Sequence, residues 1–253
     1  VWISTLTQGR VADALAWAER LLAEGDKAGD VDLQILGHTA AMISHFYLGQ
    51  LIEAREHGTC GVALYDPQRA ERWMQLTGHD TRTVFLGWSA HWTWMLGYPD
   101  QAVQSSNEKD AHARRLGHAL NLGYALTVGA YPFDYRCEPE QLIDRVREAD
   151  RLAREQGIPI LYDVMVPQAE GLARLRSRHL SESMFLLRQG IENWNRLGGH
   201  TRVPYLKAAL AEALALQGDL DAGLDLIGES LTQIERPGWQ ERSHLADVLR
   251  LKG

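Results

Sequence analysis

The chain has 253 residues, of which 45% are hydrophobic and 23% are charged, a composition that favours a folded protein with a sizeable core over a disordered one. Its formal net charge of −7 argues against nucleic acid and against an anionic membrane as partners, because both attract basic surfaces. Only two cysteines occur, Cys60 and Cys137, in no metal-ligand spacing, and no apolar run is long enough to span a bilayer; both observations predict a reducing, cytoplasmic location.

A turn signal recurs about every 40 residues. Four Gly residues are each followed five positions later by a small residue, and two weaker copies, in which another residue replaces Gly, fill the gap between them. The six anchors are Gly9, Gly49, Gly97, Cys137, Arg178 and Gly218. A second Gly follows each anchor at the predicted end of the next helix, and a small residue usually precedes the anchor by seven positions. These markers predict an internal repeat.

Each unit is predicted to contain a helix A, a tight turn at the anchor and a helix B, because apolar residues recur at spacings of three and four between the markers. In chain order, a helix remnant is predicted at 1–7, helix B at 11–24, 51–65, 99–115, 139–155, 180–196 and 221–235, helix A at 31–47, 80–96, 119–135, 160–176 and 201–217, and a further helix A within 239–253. A longer loop or an extended helix end is expected between Tyr65 and Asp80. Pro132 and Pro167 fall inside A helices and should kink or break them.

These elements predict an all-α fold: a right-handed superhelical solenoid of about six antiparallel helix hairpins, in a single domain over 1–253. The units lie near 1–30, 31–79, 80–118, 119–158, 159–199 and 200–238, with a partial helix at 239–253. The first residues carry neither a Met nor a signal-peptide pattern, and we interpret the chain as part of a longer protein.

The spacing of the anchor, the small residue after it and the small residue before it resembles that of tetratricopeptide repeats, whose usual unit is shorter. Units of this length resemble the helical-repeat tails of large bacterial signalling proteins, in which a nucleotide-cyclase or DNA-binding domain and an ATPase module precede the tail. The segments 46–55 and 94–102 carry the resemblance most clearly. It implies a protein-binding regulatory scaffold whose catalytic domains lie elsewhere in the parent protein.

The sequence contains no motif that indicates catalysis. It lacks a phosphate-binding loop and a His-Glu-x-x-His pair, and its ten His residues are dispersed, although His38 and His45 could share a helix face. Arg145 and Arg151 alternate with acidic residues, as is typical of a solvated helix face. We therefore expect no enzyme activity, no cofactor and no metal site.

A concave groove lined by the A helices is the predicted partner-binding site. The inward-facing positions are rich in Tyr and Trp, which often anchor protein interfaces, although each aromatic could instead pack against the neighbouring helix. The predicted groove residues are Phe46, Tyr47, His91, Trp94, Tyr124, Tyr131, Tyr135, Gln168, Arg176, Tyr205 and Glu212. Trp88 and Trp92 are predicted to belong to the core.

The leading hypothesis for function is a scaffold that binds a protein or peptide in this groove, the partner being another protein or another domain of the same parent chain. One alternative is a small-molecule sensor that encloses its ligand among Trp94, Tyr124 and Tyr131. Another is a self-association module that forms homo-oligomers through exposed repeat ends.

Overall fold

All regular elements of the computed structural model, which describes residues 1–253, are helices. The α-helices are α1 Trp2–Thr7, α2 Val11–Ala28, α3 Val31–Tyr47, α4 Leu51–Ala63, α5 Ala70–Thr77, α6 Thr81–Met95, α7 Pro99–Leu116, α8 Ala119–Thr127, α9 Tyr131–Tyr135, α10 Pro139–Gln156, α11 Val166–Arg176, α12 Leu180–Arg196, α13 Val203–Gln217, α14 Leu220–Ile234 and α15 Leu245–Lys252. Consecutive helices pack as antiparallel pairs. The predicted all-α fold is confirmed at this level.

The six predicted anchors share one backbone conformation. Gly9, Gly49, Gly97 and Gly218 have φ between 77° and 96°, as the turn prediction required. Cys137 and Arg178, which replace Gly in the weaker copies, have φ of 56° and 62°. At every anchor, the anchor N–H donates to the carbonyl three residues before it, and the N–H of the next residue donates to the carbonyl five residues before that residue. This pair of bonds is the Schellman ending of a helix.

This shared conformation predicts that two substitutions change the free energy of unfolding in opposite directions. Gly97→Val should lower the free energy of unfolding by about 1–2 kcal/mol, because a residue with a Cβ is strained at positive φ and no atom lies within 4 Å of the added Cβ to cause a clash. Cys137→Gly should raise it by up to about 1 kcal/mol, since relief of the same strain exceeds the entropic cost of Gly. Urea denaturation followed by circular dichroism measures both. An unchanged midpoint for Gly97→Val would contradict the assigned turn.

Two helices A are interrupted, as the prolines predicted. A 3₁₀ turn, Val128–Ala130, separates α8 from α9, and a π-helical segment, Ile160–Met165, precedes α11. Pro132 and Pro167 remove the N–H groups that would bond to the carbonyls four residues before them.

Neighbouring side chains occupy both freed carbonyls. His91 Nε2 lies 3.0 Å from the Val128 oxygen, and Asn193 Nδ2 donates to the Asp163 oxygen at 2.8 Å. The broken helices therefore remain hydrogen-bonded through the adjacent helices.

A buried lysine donates a hydrogen bond to the main chain just before the first interruption, the 3₁₀ turn. Lys109 on α7 is completely buried, and its Nζ donates to the Ala125 carbonyl at 2.6 Å. It also pairs with Asp110 at 3.1 Å, and Asp110 pairs with Arg145 at 2.8 Å. Burial lowers the pKa of Lys109, whereas the adjacent Asp110 carboxylate raises it. The charge is thus held inside the protein by a carboxylate and by main-chain oxygen.

The long connection between α4 and α6 contains a short additional helix rather than only a loop. A 3₁₀ turn, Pro67–Arg69, leads into α5, whose Trp73 is completely buried. Asp32 at the start of α3 accepts hydrogen bonds from Arg72 at 2.7 Å and from the Trp73 indole at 3.1 Å. These contacts fix the added helix to the second unit.

Two non-helical segments, 197–202 and 235–244, fold back against the inner helix faces, and we call them the closing segments. The first of them joins the start of the chain: the N–H of His200 donates to the carbonyl oxygen of Thr7 at 2.7 Å. Arg202 has φ of 66°, so α13 begins at Val203 and not at the predicted residue 201.

The second closing segment corrects the prediction of a helix over 239–253. Only Leu245–Lys252 is helical, because the Pro237-Gly238 turn and the positive φ of Gln240, 51°, redirect the chain inward. The N–H of Arg242 donates to the carbonyl oxygen of Tyr47 at 2.7 Å. The interior that the sequence predicted as a groove is therefore occupied by the protein itself.

Candidate functional site

The predicted groove residues come together, but they form an interior and not an open groove. Phe46, Tyr47, His91, Tyr131, Gln168 and Tyr205 are buried, whereas Trp94, Tyr124, Tyr135, Arg176 and Glu212 are half-buried. Trp88 and Trp92 are buried, as predicted for the core. The aromatic residues face inward as expected, but the closing segments cover them. Helical periodicity predicts the inward direction and not this cover, so the sequence pattern suggested an accessible surface.

A chain of hydrogen bonds connects the second closing segment to the A helices. His244 Nε2 lies 2.9 Å from the Tyr135 hydroxyl, which lies 3.0 Å from His91 Nδ1. Because His91 Nε2 must donate to the Val128 carbonyl, Nδ1 accepts from Tyr135, and His244 then donates to Tyr135. Burial lowers the pKa of both His91 and His244 to about 3. Both rings are therefore neutral at pH 7.

A charged pocket of about 280 Å³ lies beside this chain of hydrogen bonds and includes Trp94 in its wall. Arg176 Nε pairs with Asp134 at 2.8 Å and its Nη1 pairs with Glu212 at 2.9 Å. Tyr205 donates to the other oxygen of Asp134. Each charge in this cluster has a partner, so the cluster is a self-contained ion-pair network.

The histidines do not assemble a metal centre. His38 Nδ1 lies 3.0 Å from His57 Nδ1, and the His45 ring stacks on the His57 ring at 5.2 Å, so His38 and His45 do lie on one side of α3. Burial, with the nearby His45 and His38, lowers the pKa of His57 to about 4. No group of three or more His, Cys, Asp or Glu side chains has an arrangement that could hold a metal ion.

A large cavity is the strongest candidate site. Its volume is about 790 Å³, and 18 of its 27 lining residues are hydrophobic. We call it the apolar cavity. It lies between the first three helices on one side and α6, α8, the π-helical segment and the first closing segment on the other. Its apolar wall includes Trp2, Leu6, Leu36, Ile43, Val84 and Met165.

A few polar groups interrupt this wall. The Oγ1 of Thr81 and the Nδ1 of His79 are buried without a hydrogen-bond partner, and both residues line the cavity. The His79 ring packs on Tyr124 with centroids 4.3 Å apart. Burial, followed by the charge of His118, lowers the pKa of His79 to about 4, so the ring is neutral at pH 7.

Arg202 completes the polar part of the cavity wall. It belongs to the first closing segment, lines the apolar cavity and is half-buried. Its main-chain N–H donates to Glu241 at 2.8 Å. Burial raises the pKa of Glu241 to about 7, although the hydrogen bonds from Arg202 and Trp239 lower it.

Sequence reasoning placed only part of this site. Of the three residues in the small-molecule alternative, Tyr124 lines the apolar cavity, Trp94 lines the charged pocket, and Tyr131 lines neither. Thr81, His79 and Arg202 were not predicted. Arg202 follows a Gly-Gly turn outside any helix, so helical periodicity gave no signal for it.

Comparison with known proteins gives limited information. No protein-family profile matches the chain. An uncharacterized protein of Rhizobium meliloti (strain 1021) is 24% identical over 219 residues, which cover 84% of this chain and 21% of that protein. The chain thus spans about a fifth of the length of this curated relative. No helix of the chain combines the length and the apolar character needed to cross a membrane.

Proposed function

We propose that this chain is a regulatory segment that senses a small, mostly apolar molecule by enclosing it in the apolar cavity. The observation that carries the proposal is the cavity itself: its volume of about 790 Å³ and its mostly hydrophobic wall are those of a ligand pocket. The interior face predicted for a peptide is covered, whereas the cavity is accessible and unfilled by side chains.

The cavity wall suggests how binding would be transmitted. Leu6 and Trp2 come from the first helix, and Thr201 and Arg202 come from the first closing segment. A ligand in the cavity contacts the first helix and the first closing segment at once. It would therefore favour the arrangement in which His200 is bonded to Thr7, since a ligand shifts an equilibrium toward the state it binds more tightly.

We further propose that the segment is a tetratricopeptide-like tail of a larger signalling protein, with an ATPase or nucleotide-cyclase domain elsewhere in the parent. The recurrence of one turn conformation at six anchors supports the repeat assignment. The much greater length of the Rhizobium meliloti relative supports a multidomain parent.

Protein binding is the second candidate, now on a different surface. Three leucines beside the turn between α13 and α14 are 45–61% exposed: Leu216, Leu220 and Leu224. Exposed apolar side chains that lie together can form an interface. Replacing Leu220 and Leu224 with Glu should abolish association with a copy of the chain in light scattering. A monomeric wild-type chain would argue against self-association.

The cavity proposal is tested with a neutral apolar fluorophore, N-phenyl-1-naphthylamine. The wild-type chain should bind it saturably at a single site. Leu36→Trp, which places a larger ring in the cavity, should weaken binding by about tenfold or more, because the ring occupies space that the ligand needs. Leu33→Trp is the matched control: it is the same change on the same helix, at a half-buried position that does not line the cavity.

Equal binding by Leu36→Trp and Leu33→Trp would contradict the assigned site. Absence of saturable binding to the wild-type chain would refute the proposed function itself. Melting curves of both variants separate loss of the site from loss of the fold.

A further inference from the structure

Arg202 is the one charged residue of the cavity wall that is not exposed. Two other charged side chains, Arg20 and Glu24, line the cavity, but both are exposed on α2. An arginine remains protonated in any protein environment, so the wall carries a fixed positive charge in a mostly apolar setting.

The guanidinium of Arg202 has only weak, neutral partners. Its Nη1 donates to the Tyr131 hydroxyl at 3.2 Å and its Nη2 donates to Gln168 Oε1 at 3.3 Å; it also lies 5.4 Å from the centroid of the Tyr131 ring. No carboxylate forms an ion pair with it within 4.0 Å. Two of its five N–H groups are thus occupied, and the remaining three have no protein acceptor.

The contrast with Arg176 makes this arrangement notable. Arg176 is also half-buried, and it pairs with two carboxylates, Asp134 and Glu212. Buried charges in proteins are normally paired. Arg202 departs from this rule at the point where it borders a cavity.

Glu241 does not form an ion pair with the guanidinium of Arg202 within 4.0 Å. Glu241 is 3% exposed and uses one oxygen to accept the main-chain N–H of Arg202 and the other to accept from the Trp239 indole at 3.4 Å. Its carboxyl is therefore engaged with main chain and indole. Burial raises the pKa of Glu241 to about 7, although these hydrogen bonds and the charge of Arg202 lower it.

We infer that the apolar cavity takes an amphipathic organic acid, whose carboxylate binds the guanidinium of Arg202 and whose apolar body lies against Trp2, Leu36 and Ile43. This inference rests on the proposed function, because it names the ligand class of the same site. A carboxylate would accept the free N–H groups of the guanidinium, a pairing that is geometrically specific.

The test uses three ligands with the same twelve-carbon chain: dodecanoate, 1-dodecanol and dodecylammonium, each measured by displacement of N-phenyl-1-naphthylamine below its micelle concentration. The wild-type chain should bind dodecanoate about tenfold or more tightly than 1-dodecanol, because a desolvated charge-assisted pair forms only with the acid. Dodecylammonium should bind more weakly than 1-dodecanol, since its charge is repelled.

Arg202→Gln should remove the preference for the acid and leave the affinity for 1-dodecanol within about threefold, because the apolar part of the cavity wall is unchanged. Arg202→Lys should retain part of the preference through its remaining charge. Retained binding of the fluorophore by each variant shows that the cavity is intact. Lys207→Gln, a charge removal outside the cavity wall, is the control.

Equal wild-type affinity for dodecanoate and 1-dodecanol overturns the inference while the proposed function stands. An unchanged acid preference in Arg202→Gln, or a parallel loss of both ligands, also overturns it. If the wild-type chain fails to bind the fluorophore and all three ligands, the proposed function fails with it. Should Arg202→Gln not fold, the comparison of the three ligands on the wild-type chain and on Arg202→Lys decides the question.

Discussion

Replacing Lys109 with Met is expected to lower the free energy of unfolding by about 3–5 kcal/mol, the usual cost of removing one partner from a buried ion pair. Met matches the four-atom stem of the Lys side chain, so the loss chiefly reports the charge and its hydrogen bonds. The substitution leaves the Ala125 carbonyl without its 2.6 Å donor and Asp110 with Arg145 as its remaining partner. Chemical denaturation followed by circular dichroism provides the measurement.

Lys27→Met is the matched control for this experiment. Lys27 is exposed at the end of α2 and forms no ion pair within 4.0 Å, so its replacement should change the stability by less than about 0.5 kcal/mol. A similarly small effect at Lys109 would mean that the buried charge contributes nothing net to the fold.

Replacing Trp239 with Ala should also lower the free energy of unfolding by about 3–5 kcal/mol. Trp239 is 7% exposed and lies in the second closing segment. Its ring covers Gly9 so closely that a Cβ on Gly9 would lie 2.5 Å from it. The substitution therefore removes the contact between the second closing segment and the first turn of the chain.

The control for Trp239 is Phe185→Ala, a large aromatic truncated at a position that is 67% exposed. Thermal melts should place Phe185→Ala close to the wild type and Trp239→Ala well below it. If Trp239→Ala melts with the wild type, the closing segment is not part of the stabilising core. A second transition at lower temperature in Trp239→Ala would mean that only the closing segments lose stability.

The helices were predictable from the sequence because their signals are local. Helix α3 spans residues 31–47 and α12 spans residues 180–196, as the markers predicted. A turn that requires positive φ selects Gly within a few residues of the helix end. The same periodicity predicted turns at Cys137 and Arg178, where the backbone has a positive φ without Gly.

The closed interior was not predictable, because it depends on contacts between distant parts of the chain. Nothing near Thr7 indicates that its carbonyl will accept the His200 N–H. The inward direction of Tyr131 and Tyr205 followed from helical periodicity, but their burial depends on where the closing segments fold. Arg202 was missed for the same reason, since its site combines residues of the first helices with residues of the first closing segment.

The bonds from His200 to Thr7 and from Arg242 to Tyr47 also bear on how the chain gains its structure. In an open repeat array each unit touches only its neighbours, so folding can begin anywhere and the terminal units fray independently. Here the first helices are complete only when residues near the end of the chain have arrived. Such long-range closure slows folding and makes it more cooperative, and the two ends of this chain should therefore become ordered together.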